Sequence, residues 1–136
     1  MPLEQYVSWS EIDSIVKILA DMISKSSRKF STISTLSRGG LVPARLLADH
    51  LGIKKILVDE KNISSDSLFV DDIYDTGVTF EKITPKVDDS SKLIFATLFA
   101  RRGKKYPSQL LYGKKTNDDE YLVFPWDKLE FERAKK

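Results

Sequence analysis

Cysteine is missing from the chain, which excludes disulfides, thiolate catalysis and a cysteine-based zinc site. Long apolar runs are missing as well. No stretch approaches a membrane span or a secretory signal, so a soluble cytoplasmic protein is expected. Nor is there an excess of one charge. The 22 basic and 20 acidic residues leave a net +2, too even a balance to advertise nucleic acid. Lys135-Lys136 and Arg101-Arg102 through Lys104-Lys105 form local basic clusters, but no stripe of basic residues interleaved with aromatics accompanies them. With only six glycines the chain lacks a dinucleotide fingerprint. Gly113-Lys114-Lys115-Thr116 fails as a Walker loop, because Ser108 stands where the upstream glycine is required and Lys115 where the hydroxyl is. Repeats, low-complexity tracts and Gly/Ser- or Pro-rich linkers are also absent, so the 136 residues are expected to form a single domain, residues 1–136, around one core.

What the chain does contain is an alternation of helical and strand periodicities. Ser8-Trp9-Ser10-Glu11 has capping-box spacing, and Ile12, Ile15, Val16, Leu19, Met22 and Ile23 then recur at helical intervals, predicting a helix from about Trp9 to Lys25. Phe30 to Leu36 is rich in β-branched residues and reads as a strand running into Ser37-Arg38-Gly39-Gly40. Pro43 opens a helix with Ala44, Leu47, Ala48 and Leu51 on its buried stripe, Gly52 ends it, and Lys55 to Val58 begins the next strand. Leu68 to Val70 supplies another strand, Thr79 to Ile83 a short helix before Pro85, and Lys92 to Ala100 a long β-rich run, with Tyr121 to Phe124 as a further strand. Such alternation predicts an α/β fold with a mainly parallel sheet flanked by helices.

The richest segment is Leu68-Phe69-Val70-Asp71-Asp72-Ile73-Tyr74-Asp75-Thr76-Gly77-Val78-Thr79. Its apolar start would be a buried parallel strand, and ligands of open α/β sheets sit beyond the carboxyl ends of such strands. Asp71 and Asp72 would therefore stand at the mouth of a crevice. Gly77 lets the backbone approach a ligand, Thr76 and Thr79 offer hydroxyls, and Val78 begins a segment whose first amides are unpaired. That half suits a phosphate monoester, while the carboxylates suit hydroxyls or a bound Mg²⁺, and a ribose 5-phosphate satisfies both. Ser37-Arg38-Gly39-Gly40 is a second candidate anion site, with exposed amides and a forked guanidinium. Read alone, it is better taken as a strand-to-helix turn with a surface arginine, and the first motif reverses that preference.

The first of these segments resembles the 5-phosphoribosyl 1-pyrophosphate (PRPP) motif of the type I phosphoribosyltransferases, with every signature position filled. Ser37 to Pro43, Leu46-Leu47-Ala48 and Leu51-Gly52-Ile53 resemble the pyrophosphate loop and helix of the xanthine-guanine branch of that family. The likeness continues through Ala96 to Arg101 and Tyr121 to Asp127, from about Tyr6 to Asp127 in all. It implies the type I phosphoribosyltransferase fold and transfer of the phosphoribosyl group from PRPP to a 6-oxopurine (guanine, hypoxanthine or xanthine), giving the nucleoside monophosphate and pyrophosphate. It also implies roles. Asp71 and Asp72 hold the ribose and Mg²⁺; Asp75, Thr76, Gly77, Val78 and Thr79 bind the 5′-phosphate; Ser37, Arg38, Gly39 and Gly40 bind pyrophosphate. Asp75 further assists removal of the purine proton. Arg101 donates to the 6-oxo oxygen, Tyr121 stacks on the base, and the backbone of Leu122 faces its pyrimidine edge.

Three departures from the family accompany the match. Arginine and tyrosine stand at 101 and 121, where lysine and tryptophan are usual. The hood between the second strand and the PRPP motif is shortened to Asp59 to Ser67, little chain for a lid that excludes water, so a slower enzyme is expected. The competing reading is a non-catalytic PRPP- or nucleotide-sensing regulator on the same fold, and an enzyme acting on another base ranks below both. Trp126 is read as a core residue, His50 is given no chemistry, and Tyr74 is left as either packed or lining the base pocket. Expected partners are PRPP, a purine base or nucleotide, and a second copy of the chain in a homodimer or dimer-based tetramer, with neither nucleic acid nor membrane.

Overall fold

The computed structural model describes residues 3–117 and 120–135. Along the chain come β1 (Leu3–Tyr6), α1 (Trp9–Lys25), β2 (Thr32–Thr35), α2 (Leu41–Leu51), β3 (Lys55–Val58), β4 (Ser67–Tyr74), α3 (Val78–Ile83), β5 (Phe95–Arg101), β6 (Leu110–Thr116), β7 (Glu120–Val123) and α4 (Lys128–Ala134), with two single 3₁₀ turns at Thr84–Lys86 and Ser90–Lys92. Helix α1 has the predicted bounds, and the Ser8 hydroxyl accepts from the Glu11 amide at 3.1 Å as its cap. Helix α2 starts two residues before Pro43, which occupies its first turn, where a proline costs no helical hydrogen bond. Gly52 ends α2 with a φ of 71°.

The main sheet runs β3-β2-β4-β5-β6 and every pair in it is parallel. Helices α1 and α2 cover one face, over Ile33, Leu68, Val70, Ala96 and Leu98. The other face buries Phe69, Phe95, Ile83, Val87 and Leu93, with the Phe69 and Phe95 rings stacked at 5.0 Å. A mainly parallel, helix-flanked sheet is therefore what forms. The separate pair β1-β7, also parallel, was half anticipated, as Tyr121 to Phe124 was expected to add a strand.

Two expectations need correction. Strand β4 does not stop at Val70 but continues through Asp71, Asp72 and Ile73 to Tyr74, because β5 offers ladder partners at Thr97, Phe99 and Ala100. The connector after β3 is also more than a truncated lid. Ile63 is buried and bridges to Val87, its amide donates to the Lys86 carbonyl at 2.9 Å, and the Ser65 amide donates to Asp88 Oδ1 at 2.8 Å. The connector is thus packed onto the segment after α3.

Candidate active site

Strand order places the site. The chain leaves β2 toward β3 on one side and returns to β4 on the other, so the crevice between β2 and β4 is a topological switch point. The last pairing of β2 is Thr35 with Val70, and residues 71–74 of β4 run past it. The loop 37–40 lies over this step. At Gly40 a Cβ would fall 1.9 Å from Thr35 Oγ1 and 2.9 Å from the Val70 carbonyl, which already accepts from that hydroxyl at 2.6 Å. Only glycine fits. At Gly39 a Cβ would lie 2.9 Å from Asp72 Oδ2, so this loop rests directly against the acids of β4. The Ser37–Arg38 peptide is cis.

The loop is tied at both ends to residues that the sequence did not single out. Ser37 donates from its amide to Asp59 Oδ1 at 2.9 Å and from its hydroxyl to Asp59 Oδ2 at 2.5 Å, which holds the Asp59 carboxyl below the usual range. Arg38 reaches Glu130 Oε2 on α4 at 3.4 Å, with both side chains largely exposed. A clue to Asp59 existed in its φ of 55°, since aspartate tolerates that conformation better than most residues, but this is visible only in the fold.

Asp71 and Asp72 are half-buried neighbours with little compensation. Asp71 Oδ1 accepts from the Asp72 amide at 2.9 Å and Asp72 Oδ1 from the Ile73 amide at 2.8 Å. Burial pushes both carboxyls up, and Asp72 rises to about 8; the adjacent Asp71 adds to the burial effect, the Ile73 amide opposes it, and Asp127 raises it a little further. Asp127, at the start of α4, is itself raised by burial and by Glu130, against the pull of Arg38. Adjacent carboxylates lacking a counter-charge form a site that a cation would relieve. Hard oxygen donors suit Mg²⁺, which keeps waters and substrate oxygens in its shell, and among the described residues no cluster of three or more acids or histidines supplies a full cage. The donor set therefore fits a substrate-bridging Mg²⁺.

Beyond the acids, Asp75, Thr76 and Gly77 turn the chain into α3. Gly77 has a φ of 88°, and a Cβ there would meet the Tyr74 hydroxyl at 2.7 Å. Tyr74 is packed beneath the turn, edge-on to Phe95 and Tyr106, and its hydroxyl donates to the Lys105 carbonyl at 3.5 Å. Residues 71–80 with Phe95 line a cavity of about 150 Å³. The loop 37–40 and the acids of β4 thus meet at Gly39 and Asp72, while the Arg38 side chain is directed to Glu130.

The residues expected to meet the base, Arg101, Tyr121 and Leu122, lie outside the lining of this cavity. Arg101, the last residue of β5, is 7% exposed; its Nε donates to Asp75 Oδ1 at 3.2 Å and its Nη1 to the carbonyls of Asn117 at 2.7 Å and Glu120 at 2.5 Å. Tyr121 is half exposed and stacks on Phe131 of α4 at 5.4 Å, while Leu122 is buried and pairs with Gln5. Trp126 lies flat on Phe124 at 4.9 Å, as a packing residue. His50 is exposed on the last turn of α2, away from this crevice.

A scan against protein-family models finds no match. Among curated proteins, the chain is 30% identical over 142 residues to a xanthine-guanine phosphoribosyltransferase of Chromohalobacter salexigens, covering 89% of this chain and 82% of that protein. Among solved structures, it is similar to a purine phosphoribosyltransferase from Pyrococcus horikoshii, with a TM-score of 0.72 and 25% identity over 90% of this chain and 93% of that one. It superposes over the whole length of a Helicobacter pylori xanthine-guanine-hypoxanthine phosphoribosyltransferase with a TM-score of 0.76, at 17% identity.

Proposed function

The chain belongs to the xanthine-guanine phosphoribosyltransferase family, and on that premise we propose that it transfers the phosphoribosyl group of PRPP to a 6-oxopurine, yielding the nucleoside monophosphate and pyrophosphate. The observation that carries this reading is the meeting of the loop 37–40 with the acids of β4, close enough that one added methyl on Gly39 would collide with Asp72. A ligand that spans this junction needs a diphosphate next to sugar hydroxyls, which is the C1 end of PRPP.

Bond breaking at C1 separates charge, so each part of the site acts on a growing or fading charge. Arg38 and the amide of Gly39 receive the negative charge of the departing diphosphate, whereas the Gly40 amide, expected to share this task, is already given to the Leu36 carbonyl at 3.3 Å. Asp71 and Asp72 hold the ribose hydroxyls; Mg²⁺ at these acids would add neutralisation of the leaving group. Thr76 to Thr79 keep the 5′-phosphate at the mouth of α3, fixing the sugar so that the purine nitrogen approaches from the other side. Asp75 accepts the purine proton. Tyr121 supplies a π-face, the backbone of Leu122 borders the pyrimidine edge, and Arg101 Nη2, which makes no hydrogen bond to a described residue, is the donor left for the 6-oxo oxygen. With the connector 59–67 tied to Val87 and Asp88, closure over the reacting centre is restricted and turnover is slow.

Among the described residues no helix is long and apolar enough to cross a membrane. A cytoplasmic salvage enzyme acting as a homodimer or dimer-based tetramer completes the reading. The test incubates the purified chain with PRPP, Mg²⁺ and each common nucleobase and follows monophosphate formation. Turnover with guanine, hypoxanthine or xanthine and not with adenine or pyrimidines is the expected result. PRPP binding without product from any base would replace the enzyme with a sensor.

A further inference from the structure

The geometry points to Arg101 as a positioning residue that fixes the proton acceptor Asp75 relative to the purine platform at Tyr121, a role that rests on the phosphoribosyl-transfer reading above. A guanidinium buried to this degree loses its hydration and is stable only where acceptors replace the water. Arg101 finds them on two separate segments. Its Nε takes Asp75 at the exit of β4, and its Nη1 takes the carbonyls of Asn117 and Glu120 ahead of β7. The arginine and the Glu120 end of the bridge are anchored in turn. The Arg101 carbonyl accepts from the Tyr106 hydroxyl at 2.6 Å, and Glu120 accepts from Asn117 Nδ2 at 2.9 Å and from the Thr116 hydroxyl at 3.2 Å. Tyr121 follows Glu120 directly, so one planar group sets the spacing between platform and acceptor.

Asp75 depends on this bridge. Its side chain is half exposed, and among the described residues Arg101 is its one hydrogen-bond partner. Arg101 holds Asp75 from Nε and both carbonyls from Nη1, two nitrogens set apart by the guanidinium plane, whereas the three donors of lysine radiate from one nitrogen and cannot span both places. The residue usual in the family at this position should therefore be the wrong residue here.

The experiment makes Arg101→Lys in the full chain, alone and combined with Asp75→Asn, and measures kcat with separate KM values for PRPP and for the oxopurine. On the intact background kcat should fall on the order of 10–100-fold, the scale of a misplaced reacting group, with KM for PRPP within about twofold. On the Asp75→Asn background the same change should cost nothing further in kcat. Equal losses on both backgrounds would reduce Arg101 to a structural residue, and a loss confined to KM for the purine would make it a base contact alone; either result overturns the proposal. Amide hydrogen exchange provides a readout independent of turnover. Residues 75–77, Asn117, Glu120 and Tyr121 should exchange faster in Arg101→Lys, or in Arg101→Gln should the lysine variant not fold. If the unaltered chain forms no monophosphate, the transfer reading fails, and unchanged exchange at both segments would by itself sink the bridge.

Discussion

Residues 71–79, the proposed phosphate side, line the crevice as one unbroken strand, turn and helix, whereas Arg101, Tyr121 and Leu122, the proposed base side, stand on two different sheets joined by hydrogen bonds to carbonyls. The phosphate side is thus specified by neighbours in sequence: an acid pair, a glycine over a tyrosine ring and a short helix. The base side is specified by distance. Its parts are separated by tens of residues, and their relation depends on Arg101, on the β1-β7 pairing and on Phe131 beneath Tyr121. A side built from contiguous chain preserves the chemistry common to every substrate. A side built from distant chain is free to change which base it accepts.

The sharpest way to break this division is to remove the one residue that both sides share. Asp75→Asn should lower kcat by about 10²–10⁴-fold for every accepted purine, the usual contribution of a positioned proton acceptor. Steady-state rates with guanine and hypoxanthine check it, and a variant with full turnover would move proton removal elsewhere.

Next in size is Asp72→Asn, which should lose turnover on the order of 10²-fold, as one electrostatic anchor of a transition state does. The same change should make the metal-free protein more stable. Because the folded carboxyl titrates at about 8 against an ordinary 3.8, the folded state binds more protons between these values, so native stability falls as pH rises from about 4 to about 8. The variant should flatten that slope and gain on the order of 1 kcal/mol or more at the alkaline end, since it removes a poorly compensated buried charge. Denaturant unfolding at about pH 5 and pH 8 without divalent cations measures both. An unchanged slope would mean that the acid pair is not strained in the free protein.

This asymmetry also governs what was legible in the sequence. Helix α1, the unit β2-α2-β3 and the turn at 75–79 were readable because capping, periodicity and glycine placement act within a few residues. Strand β6 was not anticipated, since Gly113, Lys114 and Lys115 break any apolar pattern and the strand is held by its ladder to β5. Helix α4 escaped notice too, as a short polar segment with no buried residue of its own. At the site, Asp59, Asp127 and Glu130 carried no signal because each matters only through a partner far away in sequence. Arg101 drew attention only as an expected base contact, and its bonds to Asp75 and to the segment before β7 required the fold.

Tyr121→Ala isolates the base side. Loss of a stacking surface typically costs about 1–3 kcal/mol per base, so KM for the purine should rise roughly tenfold while KM for PRPP stays within about twofold. Equal changes in both constants would show that the two sides are coupled through the platform rather than through Arg101.

The smallest effect is expected where α4 touches the loop 37–40, the proposed pyrophosphate site. Glu130 accepts from Arg38 in the free protein, and a diphosphate arriving at Ser37 to Gly40 must take over that guanidinium. The pair is long and solvent-exposed, so its strength is limited to about 0.2–1 kcal/mol, and Glu130→Gln should lower KM for PRPP by no more than about fivefold, leaving kcat and KM for the purine unchanged. A general reduction of negative charge near the crevice would give a similar shift, and the two explanations separate on an Arg38→Ala background. If Glu130 acts by competing for Arg38, the benefit vanishes when the arginine is gone; if it acts only as a nearby charge, the benefit persists.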